Sequence, residues 1–270
     1  MANKDMKISA CLVVYNEEKN IRRCLDSLAG AVDEIIVVHD GECRDKTLEI
    51  CREYGAKIFI RPHAGVMEAH LVFAINQAQG DWLLRIDADE FLTDGLRDNL
   101  RRLVEEAGAQ SFSAYSFRWL NYHKDGSFSG KERKSVLFKK VDFYWLSIPH
   151  WAWQTRGRLK ASSYILGHLS KDNSAIHWGG RKKYAKVQAE YILKDFEELD
   201  NFQAVEADWI KVYSFSRRWA GFWFLPIFKF FKSFCEAILQ GLGPRESWRR
   251  GVYNFYLGYY LYGFVHHRQF

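Results

Sequence analysis

Short apolar runs alternate with amphipathic segments through the first hundred residues of the chain. The runs Ile8 to Val14, Glu34 to Val38 and Ala56 to Ile60 have the length of buried strands. Between the first two runs, apolar residues recur at i, i+3, i+4 and i+7, as on one face of a helix. The residues of that face are Ile21, Cys24, Leu25 and Leu28. Strands separated by helices predict right-handed crossovers, and hence an α/β fold with a mainly parallel, Rossmann-like sheet flanked by helices.

Three further helices are predicted by the same alternation. One follows Asp45, which is placed to cap it, and ends at Gly55. A second covers Met67 to Ala78. The third begins after Thr93 or Asp94, and its apolar face consists of Leu96, Leu100 and Leu103.

The stretch Gly80 to Leu92 begins as a fourth short apolar run and ends in three carboxylates within four positions. Asp87 and Asp89 lie two apart, so their side chains share one side of an extended chain. Crowded acids repel one another unless a cation lies between them. A divalent cation shared with a diphosphate suits them, since magnesium-type ions usually take only one or two protein carboxylates. The alternative is that Asp-x-Asp simply marks a solvated turn between a strand and a helix.

Polar clusters follow three of the predicted strands, at Asn16-Glu17, at Asp40 and at Asp87 to Asp89. Open parallel sheets bind ligands outside the carboxyl ends of their strands, so we expect the clusters to converge on one edge. Each cluster alone is also typical of ordinary turns and caps. The sequence has neither Gly-x-Gly-x-x-Gly after the first strand nor Gly-x-x-x-x-Gly-Lys-Ser/Thr, the two common phosphate-binding loops. A metal ion would have to take their place.

Three segments resemble, in order, the signatures of inverting family-2 glycosyltransferases with the GT-A fold. They are Ile8 to Glu18, Glu34 to Gly41 and Gly80 to Glu90, and the match covers about residues 7 to 100. Within the family, Asp-Ala-Asp-Glu most resembles the branch that builds lipopolysaccharide core and other envelope glycans. The resemblance implies metal-dependent transfer, with inversion, of a sugar from a nucleotide-sugar donor to a glycan or lipid-linked acceptor.

The resemblance also implies roles for individual residues. The nucleotide-sugar-binding residues would be Tyr15, Asn16, Glu17, Asp40, Asp87 and Ala88, with Asp40 on the base or ribose. The ligands of the divalent metal, Mg²⁺ or Mn²⁺, would be Asp89 and Asp87. The second loop, residues 39–47, departs from the family pattern, because it has larger residues between aspartate and threonine and one residue more.

The general base is expected between residues 110 and 180, because family members place a carboxylate in the second half of the chain. The strand Lys134 to Lys139 resembles the one that precedes a His-Glu pair, and Ile148 to Trp151 falls where that pair is expected. Trp151 replaces the glutamate, which leaves His150 as the catalytic candidate. A lone histidine beside aromatic residues is otherwise a packed or capping residue. Other candidates are Asp142, Glu132 and His168.

A chain of 270 residues allows one sizeable α/β domain with an appendage. We expect a glycosyltransferase domain over 1–209, with a nucleotide-sugar half at about 7–107 and an acceptor half at about 108–209. The five cysteines form an odd set without C-x-x-C, which disfavours a disulfide framework or structural zinc. No apolar core follows the first residues, which disfavours a signal peptide. The protein is therefore expected in the cytoplasm.

Basic and aromatic residues concentrate towards the C-terminus. Residues 210–270 hold nine Lys and Arg against two Asp and Glu, and nineteen of the 44 aromatic residues. Two uncharged runs, 219–228 and 251–265, are shorter than the roughly 20 residues that a spanning helix needs. This composition predicts amphipathic helices over 210–270 that hold the protein, from about Arg217 onward, on the cytoplasmic face of an anionic inner membrane.

Two other interpretations of this C-terminal region are open. The aromatic residues either pack against the catalytic core or, with the basic residues, form a nucleic-acid surface. The second is disfavoured because it predicts no sugar-nucleotide cleft on the same chain, so we expect no nucleic-acid partner. For the function, the alternative is a catalytically inactive, membrane-associated protein that binds a nucleotide sugar or acts as a scaffold. The missing glutamate at Trp151 supports this alternative.

Overall fold

The structure, a computed structural model, describes residues 6–123, 127–149, 153–169, 178–194, 196–204, 206, 225–240 and 244–265. The chain falls into two compact units. The first comprises residues 1–147, 152–172 and 201–203, and the second comprises 148–151, 173–200 and 204–270. The division into 1–209 and 210–270 was drawn by role rather than by compactness, and it stays a prediction.

The strands of the described residues all belong to the first unit. In chain order they are β1 (Ile8–Val14), β2 (Glu34–Asp40), β3 (Lys57–Arg61), β4 (Trp82–Arg85), β5 (Glu90–Leu92), β6 (Phe112–Tyr122), β7 (Phe128–Lys139), β8 (Phe143–Leu146), β9 (Gln154–Thr155), β10 (Arg158–Leu169) and β11 (Asn201–Phe202). Eight form one sheet in the order β3-β2-β1-β4-β7-β6-β10-β5, and three form a small sheet in the order β11-β8-β9. The first predicted strand coincides with β1, and the next two overlap β2 and β3.

The large sheet is mixed, and only part of it is parallel. β3, β2, β1 and β4 are parallel neighbours, as predicted. β7 then runs antiparallel to both β4 and β6, β10 runs parallel to β6, and β5 runs antiparallel to β10. The expectation of a mainly parallel sheet is therefore right for the first four strands and wrong for the whole. Only five residues, 123–127, separate β6 from β7, a length that permits an antiparallel hairpin, whereas parallel neighbours need a long crossover.

Helices flank this sheet and also make up the described part of the second unit. The first unit holds α1 (Ile21–Leu28), α2 (Thr47–Glu53), α3 (Glu68–Gln77), α4 (Asp94–Arg97) and α5 (Leu100–Gln110), and the second holds α6 (Trp178–Leu193), α7 (Leu225–Leu239) and α8 (Pro244–Val265). The four apolar residues that predicted α1 are all buried. They join one hydrophobic core with residues of β1, β2 and β4.

One predicted helix is divided into α4 and α5. Its apolar face, Leu96, Leu100 and Leu103, is buried as the single-helix pattern required. The Asn99 side chain accounts for the break, because its Nδ2 donates to the Gly95 carbonyl oxygen at 2.8 Å. An asparagine amide that donates to this carbonyl oxygen competes with the backbone N–H that would bond to it in a continuous helix.

The described part of the second unit is held together by aromatic and polar contacts between helices. The ring centroids of Phe230 on α7 and Trp248 on α8 lie 5.1 Å apart. The Tyr253 hydroxyl of α8 donates to Gln188 Oε1 of α6 at 2.8 Å. None of the helices in the described ranges is long and apolar enough to cross a membrane. Arg217, where the predicted membrane region begins, lies outside the described residues.

Candidate active site

The carboxyl ends of β1, β2 and β4 meet at one edge of the large sheet. Val14 pairs with His39, and Cys11 pairs with Arg85. β4 ends opposite Cys11, three residues before the end of β1, but the loops after all three parallel strands leave the sheet at the same edge, as predicted for the three polar clusters. Open α/β sheets bind their ligands at such an edge.

The acid loop, residues 86–89 between β4 and β5, is a turn rather than an extended segment. The Glu90 N–H donates to the Asp87 carbonyl oxygen at 2.9 Å, which closes the turn. The extended geometry expected for Asp87 and Asp89 is therefore wrong, and the two carboxylates contact different groups. Ala88, between them, is 5% exposed and belongs to the hydrophobic core.

Two cations of the protein hold Asp87 and Glu90. Lys134 Nζ, on β7, lies 2.6 Å from Asp87 Oδ2 and 2.6 Å from Glu90 Oε1. Arg85 Nη2 lies 3.0 Å from Asp87 Oδ1. The fully buried Glu90 side chain also accepts hydrogen bonds from Trp119 Nε1 at 2.6 Å and from the Asp87 N–H at 3.0 Å. Lys134 and Arg85 thus relieve the repulsion for which a metal ion was expected.

These contacts shift the pKa values of the two acids in opposite directions. Burial acts to raise the pKa of Asp87, but the charges of Arg85 and Lys134 lower it to about 2. Burial and the neighbouring Asp87 charge raise the pKa of Glu90 above its ordinary value, and Lys134 opposes them only in part. Asp87 is therefore ionised at neutral pH and accepts hydrogen bonds without serving as a proton donor.

Asp89 lies next to His168 of β10. His168 Nε2 is 3.5 Å from Asp89 Oδ2, and the two side chains are 19% and 22% exposed. The backbone of His168 is fixed on two sides, because β10 pairs it with Glu90 of β5 and with Asn121 of β6. The Trp119 ring packs on the imidazole, with centroids 4.5 Å apart. His168, predicted only as a candidate base, is thus part of the acid-loop cluster.

Asp89 and His168 fit a divalent ion better than Asp87 does. Their facing atoms are 3.5 Å apart, near the roughly 3 Å between adjacent ligand atoms bonded at about 2.1 Å and right angles. Asp87 already has two cationic partners. The described ranges contain no group of three or more His, Cys, Asp and Glu side chains that could hold a metal ion. One carboxylate such as that of Asp89 can suffice for Mg²⁺, which usually takes its other ligands from water and substrate phosphates.

The Asp40 carboxylate is buried and fixes the segment after β3. It accepts hydrogen bonds from the N–H groups of Ala64 at 2.6 Å and Gly65 at 2.9 Å, and from His70 Nε2 at 2.9 Å. Burial acts to raise the pKa of Asp40, but these hydrogen bonds and the nearby His63 lower it below its ordinary value. Asp40 therefore positions the start of the segment leading to α3 beside the β2 loop.

Hydrogen bonds join the loops after β1 and β2. The Glu17 N–H donates to Thr47 Oγ1 at 2.7 Å, and the Arg44 N–H donates to Asn16 Oδ1 at 2.8 Å. The Asn16 N–H in turn donates to Nε2 of the buried His39 ring at 3.3 Å. Asn16 has a left-handed backbone with φ of 52°, a conformation that asparagine tolerates better than most residues. The two loops therefore form one connected wall.

An open pocket of about 900 Å³ adjoins this wall. It is lined by residues 41–45, part of α2 and residues 60–63, and it does not include the acid loop. His63, one of its lining residues, lies with its ring 4.9 Å from the ring of Tyr15. Tyr15 is 45% exposed, so a flat aromatic surface is presented beside the pocket.

The structure separates the candidates for the general base. His150 lies outside the described residues, so its catalytic role stays a prediction. Asp142 follows the end of β7, where Lys139 pairs with Trp82 at the start of β4, so it lies at the edge opposite the acid loop. Glu132 lies near the other end of β7, at the edge that carries the acid loop. Position alone therefore favours Glu132 over Asp142.

Three contributions to this site were missed by sequence reasoning: Arg85, Asn121 and the role of Lys134. Arg85 stands two positions before Asp87, a spacing that puts both side chains on one side of a strand, so a signal was available. Asn121 and Lys134 come from β6 and β7. Only the order of strands in the sheet brings them to the acid loop, and no local pattern reveals that order.

A parallel sheet edge with an Asp-x-Asp turn and two polar loops is consistent with an α/β protein of the GT-A kind. Comparison with known families agrees. Residues 9–188 match Glycosyl transferase family 2, which is more than half of the chain. The chain therefore belongs to glycosyl transferase family 2.

Relatives with partial overlap are named as glycosyltransferases. An uncharacterized glycosyltransferase of Rickettsia felis is 35% identical over 134 residues, 50% of this chain and 46% of that protein. Uncharacterized glycosyltransferase RP128 of Rickettsia prowazekii is 26% identical over 230 residues, 75% of this chain and 74% of that protein. The poly(ribitol-phosphate) beta-glucosyltransferase of Bacillus spizizenii is 33% identical over 97 residues, 32% and 15% of the two chains. The chain spans less than half the length of the Rickettsia felis relative and of three further rickettsial relatives.

Solved structures align over most of the chain at low sequence identity. Mannosyltransferase PcManGT from Pyrobaculum calidifontis, in complex with GDP-Man and Mn²⁺, aligns with a TM-score of 0.49 and 13% identity, over 94% of this chain and 85% of that one. S. aureus TarS 1-349 in complex with UDP-GlcNAc aligns with a TM-score of 0.48 and 14% identity, over 98% and 93%.

Proposed function

We propose that the protein is a metal-dependent, inverting glycosyltransferase that moves a sugar from a nucleotide-sugar donor to a glycan or lipid-linked acceptor. The observation that carries the proposal is the acid loop at the carboxyl edge of β4, with Asp89 beside His168 and Asp87 fixed by two cations. Family membership supports the reaction class. The named acceptor of the Bacillus relative supports a polymeric acceptor.

The first loop and its neighbours would bind the donor nucleoside. Tyr15, Asn16 and Glu17 would border the nucleotide, and the exposed Tyr15 ring offers a stacking surface for a base. Asp40 was expected on the base or ribose itself. Its buried hydrogen bonds favour an indirect part, in which it holds residues 64–70 beside the nucleoside.

The acid loop would bind the diphosphate. Asp89 and His168, rather than Asp89 and Asp87, would hold Mg²⁺ or Mn²⁺. When bound, such an ion stabilises the charge that develops on the leaving nucleoside diphosphate as a Lewis acid. Asp87 and Ala88 would lie beside the ribose and diphosphate, where the ionised Asp87 accepts hydrogen bonds from hydroxyl groups.

His150 is the proposed general base, which takes the proton of the acceptor hydroxyl on the face opposite the leaving group. Glu132 is the competing candidate, since it lies at the acid-loop edge of the sheet. The variants His150→Ala and Glu132→Gln separate them. The one that loses turnover while keeping donor binding identifies the base, and two active variants would exclude both residues.

The reaction class is tested by nucleoside diphosphate release. The full chain is mixed with a panel of nucleotide sugars, with and without Mn²⁺ or Mg²⁺, and with an acceptor extract. We expect release with one donor, dependent on the metal. Donor binding without release in every combination would favour the alternative, a catalytically inactive protein that binds a nucleotide sugar or acts as a scaffold.

Asp89→Ala tests the metal site. We expect metal-dependent activity to fall at least about 100-fold, since a metal ion contributes several kcal/mol and each 1.36 kcal/mol is tenfold in rate. The melting temperature should change little, because the ion pairs of Asp87 and Glu90 with Arg85 and Lys134 stay intact in this variant. Asp98→Ala, which removes an exposed acid between α4 and α5, is the matched control and should keep full activity. Undiminished activity of Asp89→Ala would contradict the metal role.

We further propose that the protein acts in lipopolysaccharide or other envelope polysaccharide synthesis, bound peripherally to the cytoplasmic face of the inner membrane. The support is the outer face of α7, which lies within roughly 120° of the helix circumference. Its residues are 43% to 86% exposed and consist of Ile227, Phe228, Phe231, Ile238 and Leu239. Lys232 borders this face. A continuous apolar face bordered by a cation suits the interface of an anionic membrane.

Liposome binding tests the membrane proposal. The protein should bind anionic liposomes more strongly than neutral ones, and high salt should weaken binding without abolishing it, because salt does not screen the apolar contribution. Phe231→Glu should reduce binding, whereas Ile60→Glu should not, although Phe231 and Ile60 are 59% and 60% exposed. Equal binding by both variants would exclude α7 as the anchor. If the intact protein does not bind liposomes, the interpretation of the aromatic residues of 210–270 as core packing gains support.

A further inference from the structure

Asn121 touches the proposed metal ligand His168 on the side away from Asp89. We propose that Asn121 is a positioning residue of the metal site, whose amide oxygen fixes the tautomer of His168 that leaves Nε2 as the metal-binding atom. This inference rests on the proposed metal site of Asp89 and His168. It concerns a residue of the chain that neither the acid motif nor the candidate base positions include.

The hydrogen bond between the two side chains defines the tautomer. His168 Nδ1 lies 2.7 Å from Asn121 Oδ1. An amide oxygen only accepts hydrogen bonds, so the hydrogen of this contact belongs to Nδ1. In the neutral imidazole the other nitrogen, Nε2, then carries the lone pair, and this atom is 3.5 Å from Asp89 Oδ2. Two electron-rich atoms facing each other at this distance suit a cation between them.

The opposite tautomer would work against metal binding. With its hydrogen on Nε2, His168 would donate to the Asp89 carboxylate and close a histidine–aspartate hydrogen bond. A metal ion would then have to break this bond before it could reach either ligand. With the amide oriented as in the structure, Asn121 opposes that arrangement, because Nδ1 without a hydrogen would face the Asn121 oxygen, another acceptor, at 2.7 Å. Partners of this kind typically change metal affinity by about 10-fold to 100-fold.

The fold holds the two residues in register. β6 and β10 are parallel neighbours in which Asn121 pairs with His168. Trp119 stands two positions earlier on β6, so its side chain shares a side of the strand with Asn121. Its ring packs on the imidazole, and its Nε1 donates to Glu90. One strand thus supplies both the packing that orients the His168 ring and the acceptor that sets its hydrogen.

The first measurement needs no variant. Long-range ¹H–¹⁵N correlation spectra of the full chain with ¹⁵N-labelled histidine, at pH 8 where most histidines are neutral, report the tautomer of each ring. The His168 signal is identified by its absence from the His168→Gln spectrum. We expect the Nδ1–H tautomer. An Nε2–H tautomer in the wild-type protein would overturn the proposal, whatever the variants do.

The second measurement is the affinity for Mn²⁺ alone, from the electron paramagnetic resonance signal of the free ion. Asn121→Leu removes the acceptor and should weaken Mn²⁺ binding about 10-fold to 100-fold, with a shift of His168 towards the Nε2–H tautomer. Asn121→Asp keeps an acceptor and should bind Mn²⁺ at least as well as the wild type. Ser129→Ala is the matched control, because Ser129 pairs with Asn121 across β6 and β7 and contacts another ring, that of His123. It should change neither quantity.

The remaining outcomes are distinguishable. If Asn121→Leu binds Mn²⁺ with wild-type affinity, the positioning role of Asn121 is overturned, even if the tautomer of His168 changes. A wild-type protein that binds no Mn²⁺ would overturn the metal site and this role together. Intact Mn²⁺ binding without glycosyl transfer would count only against the proposed reaction, because neither the tautomer nor the Mn²⁺ affinity depends on turnover.

Discussion

Lys134 is the residue on which the electrostatics of the acid loop depend most. Its amine lies 2.6 Å from both Asp87 and Glu90, with 21% of the lysine side chain and none of the glutamate exposed. Removing one partner of a buried ion pair costs roughly 3–5 kcal/mol, because a buried charge is left uncompensated. We predict that Lys134→Met lowers the free energy of unfolding by about 3 kcal/mol, measured by urea denaturation. Lys134→Arg, which keeps the charge, should cost less.

The matched control for this prediction is Lys57→Met. Lys57 lies 2.7 Å from Glu34, but its side chain is 46% exposed. Glu34 is 13% exposed and keeps its hydrogen bonds from Ser9 and from the Gln79 N–H without Lys57, so this variant should cost less than Lys134→Met. If the two variants have the same free energy of unfolding, Lys134 does not compensate a buried charge.

The acids of the site were predictable from sequence, but their partners were not. Asp87, Asp89 and Glu90 are adjacent in the chain, so their crowding is visible directly. Lys134 and His168 reach them only because β7 and β10 take particular places in the sheet. A metal ion was invoked to balance three acids because the cation on β7 could not be placed from the sequence. The sequence thus placed the three acids together at the end of the fourth predicted strand and left their charge balance open.

At the level of elements, the acid loop depends on the pairing of β5 with β10. Gly167 of β10 lies opposite Phe91 of β5, and a Cβ added at Gly167 would overlap the Phe91 ring. The ring has little room to move, because the Arg23 guanidinium lies 3.8 Å from its centroid. We predict that Gly167→Ala lowers the free energy of unfolding by about 1–3 kcal/mol through overpacking. It should also weaken Mn²⁺ binding, since it displaces the neighbouring His168.

Gly95→Ala is the comparison for this prediction. A Cβ at Gly95, in α4, would meet the Tyr164 ring at an ordinary 3.8 Å. Alanine is the better helix former, so this variant should be neutral or slightly stabilised. Urea denaturation and Mn²⁺ titration of both variants give the comparison. Equal stability and equal Mn²⁺ affinity would show that the β5–β10 contact tolerates the extra methyl group.

Elements with a strong period were predictable, whereas elements decided by single contacts were not. Four apolar residues at helical spacing predicted α1, and a seven-residue apolar run predicted β1. β5 has only three residues, too few for any periodicity to appear. The break between α4 and α5 depends on one side-chain hydrogen bond from Asn99. The antiparallel pair β6 and β7 is separated by the polar sequence of residues 123–127, which does not by itself distinguish a hairpin from any other connection.

At the scale of the whole molecule, the reactivity of each cysteine thiol shows whether its surroundings are accessible to a reagent in solution. Cys11, Cys24 and Cys51 are buried, Cys43 is partly buried and Cys235 on α7 is exposed. Burial raises the pKa of Cys11 and of Cys51 to about 12, so their reactive thiolate forms are scarce at pH 8. We predict that Ellman's reagent modifies Cys235 quickly, Cys43 more slowly and the other three only after unfolding. Cys235→Ser should lose the fast phase, and a fast phase that persists would place the reactive thiol elsewhere.

Bound anionic membrane should protect that thiol, since Cys235 lies on the same helix as the apolar outer face of α7. The rate of modification is therefore expected to fall when anionic liposomes are added. Neutral liposomes should protect it less. An unchanged rate in protein that has bound to liposomes would mean that α7 is not at the interface.

The pairing of β5 with β10 also sets the order in which the site can assemble as the chain is synthesised. β1 to β4 need only one another, so this part of the sheet can form while later residues are still being added. β5 pairs only through Leu166 to His168 within the described sheet, and must wait for that strand to emerge. A nascent chain that has completed its acidic motif therefore still lacks the strand that holds the motif and the histidine that faces it. The proposed metal site would therefore be completed late in synthesis, when most of residues 108–209, the predicted acceptor half, have also emerged.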